Sequence, residues 1–168
     1  MPTLADVTAR DLMQTEVVTL DADASVEEAV SVLEDYRITG APVVDGGGNL
    51  VGVFSVSDIA RREHVGDGRI RSERGAWFET NPLAASDDGG WEREFGARED
   101  YSPDVLGRET VGEWMHRGVI TVAPEARVKE VCELLTRESI HRVLVVEDGS
   151  LAGLVSTVDI VRWLAAQL

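Results

Sequence analysis

Residues 50–59 read Leu50-Val51-Gly52-Val53-Phe54-Ser55-Val56-Ser57-Asp58-Ile59, and residues 151–160 read Leu151-Ala152-Gly153-Leu154-Val155-Ser156-Thr157-Val158-Asp159-Ile160. In each, an apolar strand pattern ends at a serine, and the aspartate three residues on falls in the first turn of a helix. At an offset of 101, Leu50, Gly52, Ser55, Asp58 and Ile59 meet Leu151, Gly153, Ser156, Asp159 and Ile160. Upstream of Gly46-Gly47-Gly48 the offset becomes 102, and Met13, Thr19, Val26, Leu33 and Ile38 meet Met115, Thr121, Val128, Leu135 and Ile140. The chain therefore reads as a tandem duplication, residues 9–63 and 108–168, separated by an unrelated segment, 64–107.

Each copy carries the same element pattern, β-α-β-β-α. A strand is expected around Val17-Val18-Thr19-Leu20, then a helix opened by the capping box Ser25-Val26-Glu27-Glu28. Val26, Ala29, Val30 and Leu33 make one apolar stripe at helical spacing, matched by Val128, Val131, Cys132 and Leu135. Cys132 therefore reads as a core residue and not as a nucleophile. Ala41 to Asp45, a glycine turn and Leu50 to Phe54 give strand, turn, strand. In the second copy Val143 to Val146 and Leu151 to Val155 flank Asp148-Gly149, a hairpin signal. Second helices are expected over Ser57–Glu63 and Thr157–Gln167. The fold class is α/β, and copies too small to bury their own faces are expected to pack against each other with pseudo-two-fold symmetry.

Composition narrows the function. Among 168 residues, 31 acids face 16 bases, a formal charge of −15, which opposes nucleic acid and anionic membranes as partners. No apolar run reaches transmembrane length, and the N-terminus lacks the basic-then-apolar pattern of a signal peptide, so a cytoplasmic location is expected. A single cysteine leaves no internal disulfide and no cysteine-rich metal site. Fifteen of the 16 bases are arginine. Acid excess with almost no lysine suits a high-salt cytoplasm, the reading favoured over a GC-rich genome encoding an ordinary acidic protein.

The ordered set Asp11-Leu12-Met13, Val18-Thr19, Ile38 to Asp45 and Leu50 to Ile59 resembles the CBS domain family. Its counterparts are Glu113-Trp114-Met115, Ile120-Thr121, Ile140 to Glu147 and Leu151 to Ile160, so the resemblance covers both copies, as a tandem pair or Bateman module. Leu144 stands where the family often has proline, as at Pro42, and a small change in loop path is expected there. The resemblance implies a regulatory ligand and no required cofactor or metal: an adenine nucleotide (AMP, ADP, ATP) or S-adenosylmethionine, held in a cleft between the repeats. That cleft would be lined by the first strand, the loop before the hairpin, and the Ser-x-x-Asp motif. It also implies a homodimer, a separate protein effector, and an origin in a halophilic archaeon is the reading of the composition beside it.

Carried onto this chain, the nucleotide-binding candidates are Val18, Thr19, Ile38, Thr39, Gly40, Ala41, Pro42, Ser55 and Asp58 in the first copy. In the second they are Ile120, Thr121, Ile140, His141, Arg142, Val143, Ser156 and Asp159. The chemistry is coherent: a carboxylate accepts from the vicinal hydroxyls of a ribose, and a helix N-terminus favours phosphate. Thr19, Thr121, Val18 and Ile120 would flank the base, and Ile38 and Ile140 would sandwich it. The bland alternative is that serine and aspartate merely cap their helices. Arg142 reads either as a bidentate phosphate ligand or as a surface residue paired to an acid. Arg61 and Arg62 read as phosphate ligands of the first cleft or, for at least one of them, as a solvated helix face, and His64 and His116 read as surface residues.

Charge differs between the segments. Residues 1–63 hold 12 acids and 4 bases, 64–107 hold 10 and 5, and 108–168 hold 9 and 7. The nearly balanced second copy, built around His141, Arg142, Ser156 and Asp159, is thus the expected phosphate site. The 64–107 segment carries Trp77, Phe78, Trp91, Phe95 and Tyr101, more aromatic surface than a solvated linker uses. It reads as an insertion folded back on the module, with Asn81-Pro82 and Gly89-Gly90 as turns, serving as packing, lid or docking surface. The leading function is a ligand sensor; a ligand-free assembly module is the alternative. An enzyme is not expected, because no catalytic constellation stands out.

Overall fold

The computed structural model of the chain describes residues 6–63 and 107–168, with side chains for all of these except 60–63. In chain order the elements are α1 (Ala9–Leu12), β1 (Leu20–Asp21), α2 (Val26–Tyr36), β2 (Gly40–Val44), β3 (Leu50–Ser55) and α3 (Val56–Glu63). The second copy repeats them as α4 (Val111–Trp114), β4 (Thr121–Val122), α5 (Val128–Glu138), β5 (Arg142–Glu147), β6 (Ser150–Ser156) and α6 (Thr157–Ala165). The expected aromatic insertion, its turns, the side chains of Arg61 and Arg62, and His64 lie outside the described residues.

The capping box at Ser25 is formed in full. The Glu28 N–H donates to Ser25 Oγ at 3.2 Å, and Glu28 Oε2 accepts from the Ser25 N–H at 2.9 Å and from its hydroxyl at 3.0 Å. These bonds satisfy donors that the first helical turn leaves orphaned, and they hold the Glu28 carboxyl below its ordinary pKa. In α5 the same place is taken by Arg127, whose N–H donates to Glu130 at 3.0 Å. Both helices end on a left-handed residue, Arg37 (φ 52) and Ser139 (φ 55). Val26, Ala29 and Leu33 of α2, and Val128, Val131 and Leu135 of α5, are buried. Cys132 is half-buried on the same stripe, and burial pushes its thiol pKa up.

Each copy forms a three-stranded mixed sheet, ordered β1-β2-β3 and β4-β5-β6. The outer strand is parallel to the middle one, and the hairpin is antiparallel with an irregularity at Val43/Val44 or Val145/Val146. The tight β5–β6 turn places Asp148 and Gly149 at φ 51 and 85, the double positive φ that an Asp-Gly hairpin supplies. The first strand, expected over Val17–Leu20, occupies Leu20–Asp21 instead. In the second copy the Leu144 N–H donates to the Ile120 carbonyl at 3.3 Å, and pairing begins at Thr121↔Leu144. Pro42 at the aligned position has no N–H, so the first copy begins one step later, at Leu20↔Val43. Thr19 is thereby left outside the strand, and the Pro42/Leu144 difference shows as this one-residue difference in pairing.

The compact units do not follow the repeats as the sequence divides them. Among the described residues, 6–17 with 120–168 form one unit, and 18–63 with 107–119 form the other. In the first repeat's unit, Leu20, Val26, Leu33, Val43, Phe54 and Ile59 make a core that also contains Val111 of α4. The segment after α4 then pairs with β3: the Val53 N–H donates to the His116 carbonyl at 2.9 Å, and the His116 N–H to the Val53 carbonyl at 2.8 Å. In the second repeat's unit α1 packs on β6 and α6, and Gln14 and Leu154 exchange the equivalent bonds at 2.9 and 3.0 Å. Each repeat thus takes its leading helix from the segment that precedes the other. Arg10 of α1 adds ion pairs to Glu125 at 2.9 Å and Glu147 at 2.6 Å.

His116, expected at the surface, is instead half-buried, with Nε2 enclosed, because its backbone completes the edge of β3.

The pairing passes over a glycine in both units. A methyl at Gly52 would lie 2.5 Å from Met115 Sδ and 2.8 Å from the His116 carbonyl oxygen; at Gly153 it would lie 2.6 Å from the Gln14 carbonyl oxygen. Gly52→Ala and Gly153→Ala are each expected to cost about 1–3 kcal/mol in denaturant unfolding, as overpacked sites do. Gly46→Ala, where the added methyl meets nothing within 4 Å, is expected to change the midpoint little.

Glu28 carries a second expectation. Its folded-state pKa is depressed, so its stabilisation is present above the unfolded value of 4.5 and lost as pH falls through the lower folded value. Glu28→Gln should therefore lower the thermal midpoint at pH 7, and the gap to the parent should narrow in melts as pH falls below 4.5 and close once the folded-state carboxyl is protonated.

Candidate functional site

The strand-to-helix corner is where the polar interior of this protein lies. Ser55, Asp58, Ser156 and Asp159 are the buried polar or charged residues among those described, at 1, 4, 6 and 6% exposure. A buried carboxylate must be compensated by donors. At the first corner the Ser55 N–H and hydroxyl both donate to Asp58 Oδ2, each at 2.8 Å. At the second, the Ser156 N–H donates to Asp159 Oδ2 at 2.8 Å, its hydroxyl donates to the same oxygen, and the Asp159 N–H returns to Ser156 Oγ at 3.3 Å. The capping role expected of these residues is thus complete as geometry at the second corner, and at the first the aspartate closes its half of it.

The loop before the hairpin converges on the same corner. The Val56 N–H at the head of α3 donates to the Thr39 carbonyl at 3.0 Å, and the Thr157 N–H of α6 to the His141 carbonyl at 2.9 Å. Gly40 lies opposite Ser55 in register, Ala41 opposite Phe54, and Pro42 opposite Val53. In the second copy Arg142 lies opposite Ser156 and Val143 opposite Val155. Thr39, Gly40, Ser55 and Asp58 are thus brought together, as are His141, Arg142, Ser156 and Asp159. Ala41, Pro42 and Val143 are buried in the strands behind them; Ile38 and Ile140 precede the loops, Ile140 buried and Ile38 half-buried. Val18 and Thr19 sit ahead of β1, half-buried and exposed, with Ile120 and Thr121 at the aligned place.

The two corners are chemically unequal. Where the first has Gly40, the second has Arg142, half-buried, with its guanidinium pKa lowered by burial. Asp159 Oδ1 also accepts from Gln14 Nε2 at 2.8 Å and from Arg162 Nη1 at 3.1 Å. Neither Gln14 nor Arg162 was among the residues that the sequence singled out. Arg162 had a signal, since an arginine three residues after an aspartate on a helix is a ready ion pair. Gln14 had none, because it arrives from a segment distant in sequence.

A separate concavity of about 630 Å³ opens at the other end of the β2–β3 hairpin, lined by Ala22, Asp23, Asp45, Val51, Thr110, Gly112, Glu113, Met115 and Arg117. It contains none of the expected site residues, and three carboxylates against one guanidinium suit an anionic ligand poorly. Asp45 there serves its own turn, held below its ordinary pKa by hydrogen bonds from Asn49 and Gly47. Among the described residues there is no group of three metal-ligating side chains, and no helix is long and apolar enough to cross a membrane.

Comparison with known proteins agrees with this architecture. An uncharacterized protein of Methanocaldococcus jannaschii, MJ1225, is 22% identical over 157 residues, spanning 94% of this chain and 42% of its own length. The chain thus spans less than half of that relative. CBSX2 of Arabidopsis thaliana, solved in complex with AMP, superposes with a TM-score of 0.63 at 22% identity, covering 95% of this chain and 97% of its own. The CBS domain pair of protein MJ0100, solved with 5′-methylthioadenosine and S-adenosyl-L-methionine, gives 0.60 at 22% identity, covering 96% of this chain and 98% of its own. The CBS domain model matches residues 9–64 and 111–166, two thirds of the chain and both copies, and the chain belongs to the CBS domain family.

Proposed function

We propose that this CBS pair is a sensor of adenosyl ligands, an adenine nucleotide (AMP, ADP or ATP) or S-adenosylmethionine, that reports occupancy to a separate protein. The observation that carries the reading is the pair of buried carboxylates at equivalent corners, each beside a helix N-terminus and a pre-hairpin loop. A carboxylate in that position suits the vicinal hydroxyls of a ribose, and the adjacent helix dipole favours a phosphate. AMP in CBSX2 and adenosyl compounds in MJ0100 support the choice of ligand class. Arg142 makes the second corner the better phosphate site, as its delocalised cation pairs with phosphate bidentately. The ligand must favour one arrangement of the protein over another for a signal to result. A cytoplasmic homodimer working without catalysis, in a salt-rich cell where the −15 charge is screened, completes the proposal.

A second reading, an assembly module that takes no ligand, is favoured by one observation. The Asp159 carboxylate already receives four hydrogen bonds from its own chain.

Calorimetric titration with AMP, ATP and S-adenosylmethionine, at low and at molar salt, separates the two. Binding of at least one is expected, and flat titrations for all three would leave the assembly reading. In the binding case, Asp58→Ala and Asp159→Ala are each expected to weaken their own corner about tenfold or more, the loss of two charge-assisted hydrogen bonds. Arg142→Ala should weaken AMP more than adenosine.

A further inference from the structure

We propose that Gln14 and Arg162 form a lock on the second corner, and that a ligand entering there displaces them from Asp159 and loosens the amino-terminal segment. This rests on the adenosyl reading above. An ionised carboxylate offers about four lone-pair sites, and those of Asp159 are taken. Oδ2 accepts the Ser156 N–H and hydroxyl, and Oδ1 accepts Gln14 Nε2 at 2.8 Å and Arg162 Nη1 at 3.1 Å. A ribose diol reaches the carboxylate only by replacing one pair of donors. The Ser156 pair belongs to the helix cap and is buried with it. The Oδ1 pair comes from outside the cap. The Arg162 side chain is 70% exposed while that of Asp159 is 5% exposed, so the guanidinium regains water when it leaves. Gln14 is likewise an exposed residue.

Gln14 gives the displacement a consequence. Its backbone holds β6 through the two bonds with Leu154, and its side chain holds the carboxylate, so one residue joins the exchanged segment to the site. The segment ends at Val17, and the next residue, Val18, begins the other compact unit. Loss of the Gln14 side-chain bond therefore weakens the hold of one unit on the chain leading directly into the other. A ligand that gains Oδ1 must overcome the locked state, so its apparent affinity is reduced by the locked fraction.

The test uses the full chain carrying Asp58→Ala, so that the first corner is weakened and the second dominates the titration, with adenosine and AMP as probes. Each variant is first checked for its cooperative melt. Gln14→Ala and Arg162→Ala are each expected to tighten adenosine binding about three- to tenfold, because the competitor is gone. In the protein without substitutions, AMP is expected to speed hydrogen exchange at the Gln14 and Leu154 amides. Unchanged affinities with unchanged exchange, while the parent still binds, overturn the lock and leave the sensor reading standing. If AMP is weakened by Arg162→Ala and adenosine is unaffected, Arg162 is a phosphate ligand and the lock is overturned. No binding by the parent or any variant overturns both.

Discussion

A sheet of three strands has an edge, and an edge exposes N–H and C=O groups that need partners. In both units that need is met by the same device. The second residue after a short helix, His116 or Gln14, lays its backbone against β3 or β6, and the partner comes from the segment preceding the other repeat. The approach is close enough that only a glycine fits beneath it, Gly52 under Met115 and His116, Gly153 under Met13 and Gln14. Core composition follows from this, since Val111 of α4 is buried in the first repeat's core and Ala9 and Leu12 of α1 are buried too. The second corner follows as well, because Gln14 reaches Asp159 only where this pairing places it.

The local part of the fold was legible because it is written in short-range chemistry. Ser25 with Glu28 announces a helix start, Asp148-Gly149 a hairpin, and the stripe from Val26 to Leu33 a buried face, and each works over a few residues. Pro42 shows the limit of such reading: the expected strand Val17–Leu20 is shorter in both copies, and the missing donor at Pro42 takes one further residue from the first. The exchange of leading segments was not legible at all. Met13-Gln14 and Met115-His116 match each other at an offset of 102, yet the match does not say which sheet each one joins. For that reason His116 reads from the sequence as a surface residue, whereas the structure half-buries it. Of the candidate site, the pieces that converge, Thr39 to Asp58 and His141 to Asp159, lie near one another in sequence. Gln14 does not, and it escaped.

The two repeats share a backbone plan and differ in how the buried carboxylate is surrounded. Burying an acid is tolerable only with donors, and the serine supplies two in each copy. The same wiring serves as cap and as candidate recognition group, so a cap alone does not separate a sensor from a scaffold. The surroundings differ: Gly40 stands against Arg142 at the aligned position, in segments of quite different net charge. A chain that is strongly acidic overall thus holds a guanidinium at one of its two corners and a glycine at the other.

The exchange of leading helices also bears on how such a chain arises by duplication. A lone ancestral repeat, with its own leading segment turned outward, would have left its sheet edge bare and its glycine uncovered. It would have met that need from a second molecule carrying the same segment. Joining two copies in one polypeptide makes the exchange intramolecular, and raises the local concentration of each segment at its target from that of free chains to that of a tether. The second copy can then diverge in its side chains while both remain bound to the shared rule of glycine beneath backbone. Half of this protein is thus not a smaller version of it, since either half would lack the strand partner that the other contributes.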